Sequence, residues 1–135
     1  MLVVARFRIV EDGGELIIYA PHITELSVMH PHIEQIGYHT RDYFVGQWDR
    51  FKDLPWGDLA HSTHVRGQGT WDPVNGELDR IQVTFATRLP EALVRSCNVG
   101  YLDPDDIDVA AYEADPDTFV EPHAGEVLYR LRPEA

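Results

Sequence analysis

The sequence has one cysteine, Cys97, in 135 residues. A single thiol cannot close an intrachain disulfide, and it cannot build a cysteine cage for zinc. Basic residues are scarce: 11 Lys and Arg stand against 23 Asp and Glu, giving a net charge of -12. Nucleic acid needs a basic footprint to meet its phosphates, so that class of partner is excluded. An anionic membrane surface is excluded on the same ground. A small anionic substrate is not, because one local arginine can outweigh the mean field. No run approaches the ~20 apolar residues that span a bilayer. The opening Met1-Leu2-Val3-Val4-Ala5-Arg6 has no basic leader before an apolar segment and no small-residue cleavage pattern. No signal peptide is read there, and the expected compartment is the cytoplasm. Repeats, low-complexity tracts and internal linkers are also absent.

What is present is ordinary for a globular chain, with 44% hydrophobic and 25% charged residues. The length suits one domain, residues 1–135, with a single core. Residues 2–10 fit a helical face through Val3, Phe7 and Val10, but their β-branched density favours a strand. Residues 15–20 read as a continuous strand covered on both faces. Pro31 and Gly37 bracket a short helix at 31–36. Thr40 caps a second helix, 41–52, whose apolar stripe is Phe44, Trp48 and Phe51. Leu59 to about His64 reads as a second strand, and 66–77 as a long glycine-rich connection with turns at Asp72-Pro73 and Asn75-Gly76. Further elements are a strand at 81–86, a helix at 90–97, a helix from 103 to about 113, a short strand at 118–120 and a last strand at 126–131. Alternating strands and helices predict an α/β fold, a layered and mostly parallel sheet flanked by helices.

The chemistry concentrates where strands are expected to end. Open α/β sheets place ligands beyond the carboxyl ends of their strands. His61-Ser62-Thr63-His64 follows one expected strand and Pro21-His22-Ile23-Thr24-Glu25 follows another. If both strands lie parallel in one sheet, His22, His61 and His64 gather at one rim. Histidine there serves as general acid and base. A shared metal would require the strand to end near His61, because positions three apart on a strand face opposite ways. The ordinary alternative is one hydrogen-bonded core histidine and one exposed. His30, His32 and His39 read as a solvated face. Trp48 sits on an amphipathic helix, where a core tryptophan is the plain expectation. Arg66 has the planar fork that meets a carboxylate in bidentate fashion, with a surface salt bridge as the default. Gly67-Gln68-Gly69 lacks the third glycine of a dinucleotide loop. There is no Gly-x-Ser-x-Gly elbow, and Asp103-Pro104-Asp105-Asp106 is not a calcium-loop pattern.

Four segments resemble, in order, the C-terminal domain of the nickel-pincer-nucleotide lactate racemase family, in particular its lactate racemase-like homologues. They are Gly13 to Glu25, Gln47-Trp48, Leu59 to Val65, and Pro122-His123-Ala124-Gly125-Glu126-Val127-Leu128-Tyr129. The resemblance covers essentially the whole chain, and the order and spacing of the segments carry it. It implies a 2-hydroxy-acid racemase or epimerase of two α/β domains with the active site between them. There a nickel-pincer nucleotide takes a hydride from the α-carbon and returns it to either face. The cofactor-anchoring lysine, the nickel-binding histidine and the two catalytic histidines belong to the family's N-terminal domain, the implied partner of this chain. By the same resemblance Trp48 closes the cleft near substrate. The sequence after the first strand differs from the prototype lactate racemase, so lactate itself is not implied. The expectation is an excised fragment or one half of a split enzyme, with no catalytic residue, bound metal or bound cofactor of its own. His22, His61 and His64 are its cleft candidates, and Trp48 and Arg66 its substrate-binding candidates. Two other readings stand beside it: a stand-alone binding or interaction domain without catalysis, and a small histidine-metal hydrolase using His22, His61 and His64.

Overall fold

The computed structural model describes residues 2–6, as backbone, and residues 10–126. Its centre is a five-stranded sheet in which the strands lie side by side in the order 100–102, 82–86, 15–19, 2–6 and 118–121. The strands are β1 (Leu2–Arg6), β2 (Glu15–Tyr19), β5 (Gln82–Ala86), β6 (Gly100–Leu102) and β7 (Thr118–Glu121). β2, β5 and β6 run parallel, with Ile17 opposite Thr84 and Phe85 opposite Tyr101. β1 is inserted antiparallel between β2 and β7. The protein is therefore α/β, with a parallel three-stranded core and antiparallel pairing at the other edge.

The central strands alternate between two buried faces, which is why they read as continuous apolar runs. Leu16, Ile18 and Val83 face a core with Ile33, Val94 and Cys97. Ile17 and Ala86 face a second cluster with Ile107, Tyr112 and Val120. The first layer is built by α1 (Ile33–Ile36), α4 (Trp56–Arg66) and α5 (Glu91–Ser96). The second is a 3-10 turn (Pro104–Asp106) followed by α6 (Val109–Ala114). Asp103 and Asp108 cap these two pieces by accepting from the amides of Asp105 and Ala111. The single helix expected over 103–113 thus divides where Asp108 supplies a new N-cap.

The segment expected as a strand at 59–64 is the main correction. It is the middle of α4, an eleven-residue helix that starts after Pro55. Asp58, Leu59, Ser62 and Arg66 are buried at helical spacing. Three of these four inward positions are polar or charged, so an apolar period of 3.6 was not visible. The helix expected at 41–52 is broken at Gln47 (φ -125°, ψ 33°) into α2 (Arg41–Gly46) and α3 (Trp48–Phe51). Phe44 and Phe51 are buried with Leu59, but the break turns Trp48 outward, 43% exposed. The connection at 66–77 carries a hairpin, β3 (Gly69–Asp72) and β4 (Gly76–Asp79). Asp72 closes its turn by accepting from the amides of Val74 and Asn75. β6 was not expected, because three residues beginning with Gly100 show no alternation. The strand expected at 126–131 lies outside the described residues, apart from Glu126 in a turn.

A polar network ties the hairpin to the helices. Glu77 on β4 accepts from the Thr40 amide at 2.8 Å and the Thr40 hydroxyl at 2.9 Å, and so caps α2 in trans. It also meets His39 Nδ1 at 2.9 Å and accepts from Asn98 Nδ2 at 3.0 Å. Ser62 of α4 donates to the Gly37 carbonyl and accepts from the His39 amide. Arg66 Nε donates to Asp79 Oδ1 at 2.9 Å, its Nη2 donates to Asp79 Oδ2, and its Nη1 donates to the Asn98 carbonyl at 2.8 Å. Burial works to raise the Glu77 pKa, but the hydrogen bonds from His39 and Thr40 outweigh it and hold the carboxyl below its ordinary value.

Two predictions follow from this packing. Gly46 of α2 lies against Trp71 of β3, and a Cβ there would sit 2.3 Å from the ring. Helix propensity alone would make Gly46→Ala stabilising by about 1 kcal/mol. The clash reverses the sign, and a net loss of about 1–3 kcal/mol is expected in urea unfolding; a gain would contradict the packing. Glu77→Gln should lose about 1–3 kcal/mol at neutral pH. Because the folded carboxyl titrates below its unfolded value of 4.5, its contribution is full above that pH and vanishes as pH falls through the folded value. The stability gap between wild type and Glu77→Gln should therefore close in acid; a gap that persists below the folded pKa counts against the assignment.

Candidate functional site

α4 builds the candidate site from the inside outward. Asp58 in its first turn is 4% exposed. Its Oδ1 meets His30 Nδ1 at 3.0 Å and its Oδ2 meets His32 Nδ1. An ionised carboxylate only accepts, so both histidines donate from Nδ1. A neutral imidazole at either position then presents Nε2 as an acceptor. Burial pushes the Asp58 pKa up, but the hydrogen bonds from His32 and His30 prevail and keep it low. The loop before α1 is thereby fastened to α4.

One turn further on, the half-buried His61 ring stacks on His30, with centroids 4.5 Å apart and planes at 17°. Its Nε2 lies 3.5 Å from the Tyr38 hydroxyl. Burial, together with His30 and His64 nearby, lowers the His61 pKa against the opposing pull of Asp58. The neutral form of His61 is thereby favoured. Tyr38 is pushed up to about 12 by burial and keeps its proton. Both rings line a cavity of about 230 Å3 with Ile18 and Ala20 at the end of β2 and Phe85 and Thr87 at the end of β5. This is the carboxyl end of the parallel strands, where open sheets bind ligands.

On the outer side of α4 lies an apolar groove of about 300 Å3. Phe44, Val45, Trp48, Trp56, Leu59 and Ala60 line it. Trp56 is 75% exposed. A larger polar cleft of about 630 Å3 lies at the amino ends of β5 and β6, beside Arg66, Arg80 and Arg95. Arg66 is paired with Asp79, Arg80 through Nη1 with Asp12 and the Val10 carbonyl, and Arg95 with Glu91, while Arg80 Nε is buried without a hydrogen-bond partner. The candidate site is the one at the carboxyl ends.

Of the residues singled out in the sequence, His61 reaches the carboxyl-end rim, though from a helix rather than a strand. His22 is exposed in the turn after β2, and His64 is exposed on α4. These three do not assemble a metal site: among the described residues no group of three or more His, Cys, Asp or Glu is disposed to hold a metal ion. Trp48 is exposed rather than in the core. Arg66 does meet a carboxylate in bidentate fashion, but that carboxylate is Asp79 of the same chain. Its buried guanidinium serves the fold. His30, His32 and His39, read as a solvated face, are each held by a buried or half-buried acid. Asp58 and Tyr38 were missed. The pair Asp58 and His61, three apart, would have stood out once 56–66 was read as a helix.

No family profile matches the sequence, and no curated protein does. A crystal structure of a protein from Thermotoga maritima is similar, with a TM-score of 0.73 and 38% identity over 81% of this chain. The chain spans 27% of the length of that protein. The likeness establishes the α/β fold. No helix among the described residues is long and apolar enough to cross a membrane.

The Asp58 carboxyl should titrate below 3.8 when followed by carbon NMR. Its contribution to stability is present above that value and fades as pH falls through the folded pKa. In Asp58→Asn the His61 ring protons should lose the ring-current shift of the His30 stack. An ordinary titration of Asp58, or an unchanged His61 in the variant, would contradict this arrangement.

Proposed function

We propose that this chain is the cleft-closing domain of a lactate racemase-like enzyme that inverts a small 2-hydroxy acid, acting with an N-terminal catalytic domain on the same or a separate chain. The observation that carries the reading is the outward placement of Trp48. An amphipathic helix would ordinarily bury its tryptophan, yet Trp48 and Trp56 flank an open apolar groove. Such a surface is suited to closing against a second domain and excluding water from what lies between. The likeness to about a quarter of a longer chain supports the same reading.

Among the described residues no group of three or more His, Cys, Asp or Glu is disposed to hold a metal ion by itself. No step through the nickel-pincer nucleotide is assigned to this chain. Its own part is to shape and dry the cleft with Trp48. Arg66 is withdrawn as a substrate-carboxylate ligand, because Asp79 and Asn98 occupy its donors. A second reading, a stand-alone binding domain without turnover, is favoured by the cavity beside His61, which this chain lines with its own residues.

The test is α-proton exchange in a panel of 2-hydroxy acids in heavy water, followed by NMR. The chain alone should be silent. Mixed with a cofactor-loaded N-terminal half of a related enzyme, it should support exchange, and Trp48→Ala should slow that exchange about 10- to 100-fold. Exchange by the chain alone would overturn the division of labour. Association of the two halves without exchange would favour the stand-alone binding domain.

A further inference from the structure

The polar cleft at the amino ends of β5 and β6 lies at the opposite end of the parallel strands from His61, and the racemase reading leaves it unused. Its lining includes Arg66, Arg80 and Arg95 against the carboxylates Glu77 and Asp79, an excess of one positive charge in a chain of net charge -12. Both oxygens of Asp79 accept from the buried Arg66. Those of Glu77 are taken by Thr40, His39 and Asn98. Neither acid is left to pair with the other two arginines.

Those two keep nitrogens open. Arg80 is held at Nη1 alone, by the Val10 carbonyl and the exposed Asp12. Its Nε is shut off from solvent and is not offered to a ligand. Its Nη2 has no hydrogen-bond partner among the described residues and is not shut off. The exposed Arg95 is held at Nε by Glu91, one turn back on α5, and its two Nη atoms have no partner among the described residues. Pairs with such exposed acids are weak and leave an arginine available to an anion. The exposed side-chain amide of Gln82, at the start of β5, lines the same cleft.

The open donors thus come from three places: the link into β5, β5 itself and α5. A planar carboxylate has two oxygens and suits one guanidinium fork. A phosphate monoester carries roughly -1.5 to -2 charges near neutral pH and three acceptor oxygens pointing apart, which suits donors that converge from separate elements. The cleft, at about 630 Å3, is larger than a phosphate group and of the size that holds a whole small molecule.

We propose that this cleft binds a small phosphorylated organic molecule, with its phosphate monoester on Arg80 and Arg95 and its polar body against Gln82. The site is independent of the racemase reading and stands or falls separately from it, because its test involves no turnover.

The experiment is an NMR titration of the isotope-labelled full chain, at fixed ionic strength, with glucose 6-phosphate, glucose, inorganic phosphate and succinate. Glucose 6-phosphate should give saturable shifts at the amides of Arg80, Gln82 and Gly100 and at the Nε proton of Arg95. Inorganic phosphate should displace it, and glucose should give no saturable shift. Succinate, a dianion without a phosphate, should bind roughly 10-fold or more weakly. Arg95→Gln should weaken glucose 6-phosphate about 10-fold or more, the loss of charge-assisted hydrogen bonds. Arg88→Gln removes the same charge beyond the carboxyl end of β5, where Arg88 pairs with Asp105, and should leave binding unchanged. Should Arg95→Gln fail to give a folded spectrum, Arg80→Gln takes its place with the same expectation. Succinate binding as tightly as glucose 6-phosphate would overturn the proposal. So would saturable shifts with glucose, an equal loss in Arg88→Gln, a failure of phosphate to displace, or the absence of saturable shifts at the four positions.

Discussion

The Glu77 carboxylate is the constraint on which the rest of the structure depends. It stands on a two-stranded hairpin that makes no strand pairing with the main sheet. From there it caps α2, meets His39 and accepts from Asn98. Asn98, itself at φ 61° in the turn before β6, also bonds the Tyr38 carbonyl and receives Arg66 from α4 through its own carbonyl. Four separate pieces of chain thus meet on a few polar side chains. Such a network is favourable only when every member is satisfied, since a buried acid or amide left without partners costs more than an apolar group in its place. Here the partners are present. The network fixes where α4 lies against the sheet more narrowly than apolar packing, which is non-directional, would do.

That placement gives α4 its double role. Its Arg66 end is clamped by Asp79 and the Asn98 carbonyl. Its Asp58 end gathers His30 and His32, and between them His61 is set beside Tyr38 at the mouth of the cavity. The opposite side of the same helix presents Trp56 and Ala60 to the outer groove. Asp58, an acid of the kind that serves ligands, instead orders histidines. Arg66, with the fork that suits a substrate carboxylate, instead anchors a helix. Both are buried, and burial of a charge is tolerable only with a partner fixed in place.

The parallel core was legible because Leu16-Ile17-Ile18 and Val83-Thr84-Phe85 are rich in β-branched and other large apolar residues that serve two buried faces. Turn chemistry at Asp72-Pro73 and Asn75-Gly76 was legible too, though not the strands around it, since Gly69–Asp72 and Gly76–Asp79 carry few strand-forming residues. α4 was not legible, for a physical reason. Its inward face uses Asp58, Ser62 and Arg66, whose burial is made favourable by partners 13 to 32 residues away in sequence. A reading of local periodicity cannot see such partners. The same cause hid the site: His61 was recognised as a rim histidine, but the stack with His30 and the contact with Tyr38 are tertiary facts.

The functional reading rests on the outward tryptophans and the second, binding reading on the cavity beside His61, and both surfaces depend on α4 being held as one rigid piece with the sheet. Native-state hydrogen exchange tests that dependence most directly. If the Glu77 network locks α4 to the sheet, the amides of Leu59 to Arg66 should exchange only through global unfolding, with the same free energy as those of β2 and β5. Exchange of α4 by a local opening, while β2 and β5 stay protected, would contradict the account.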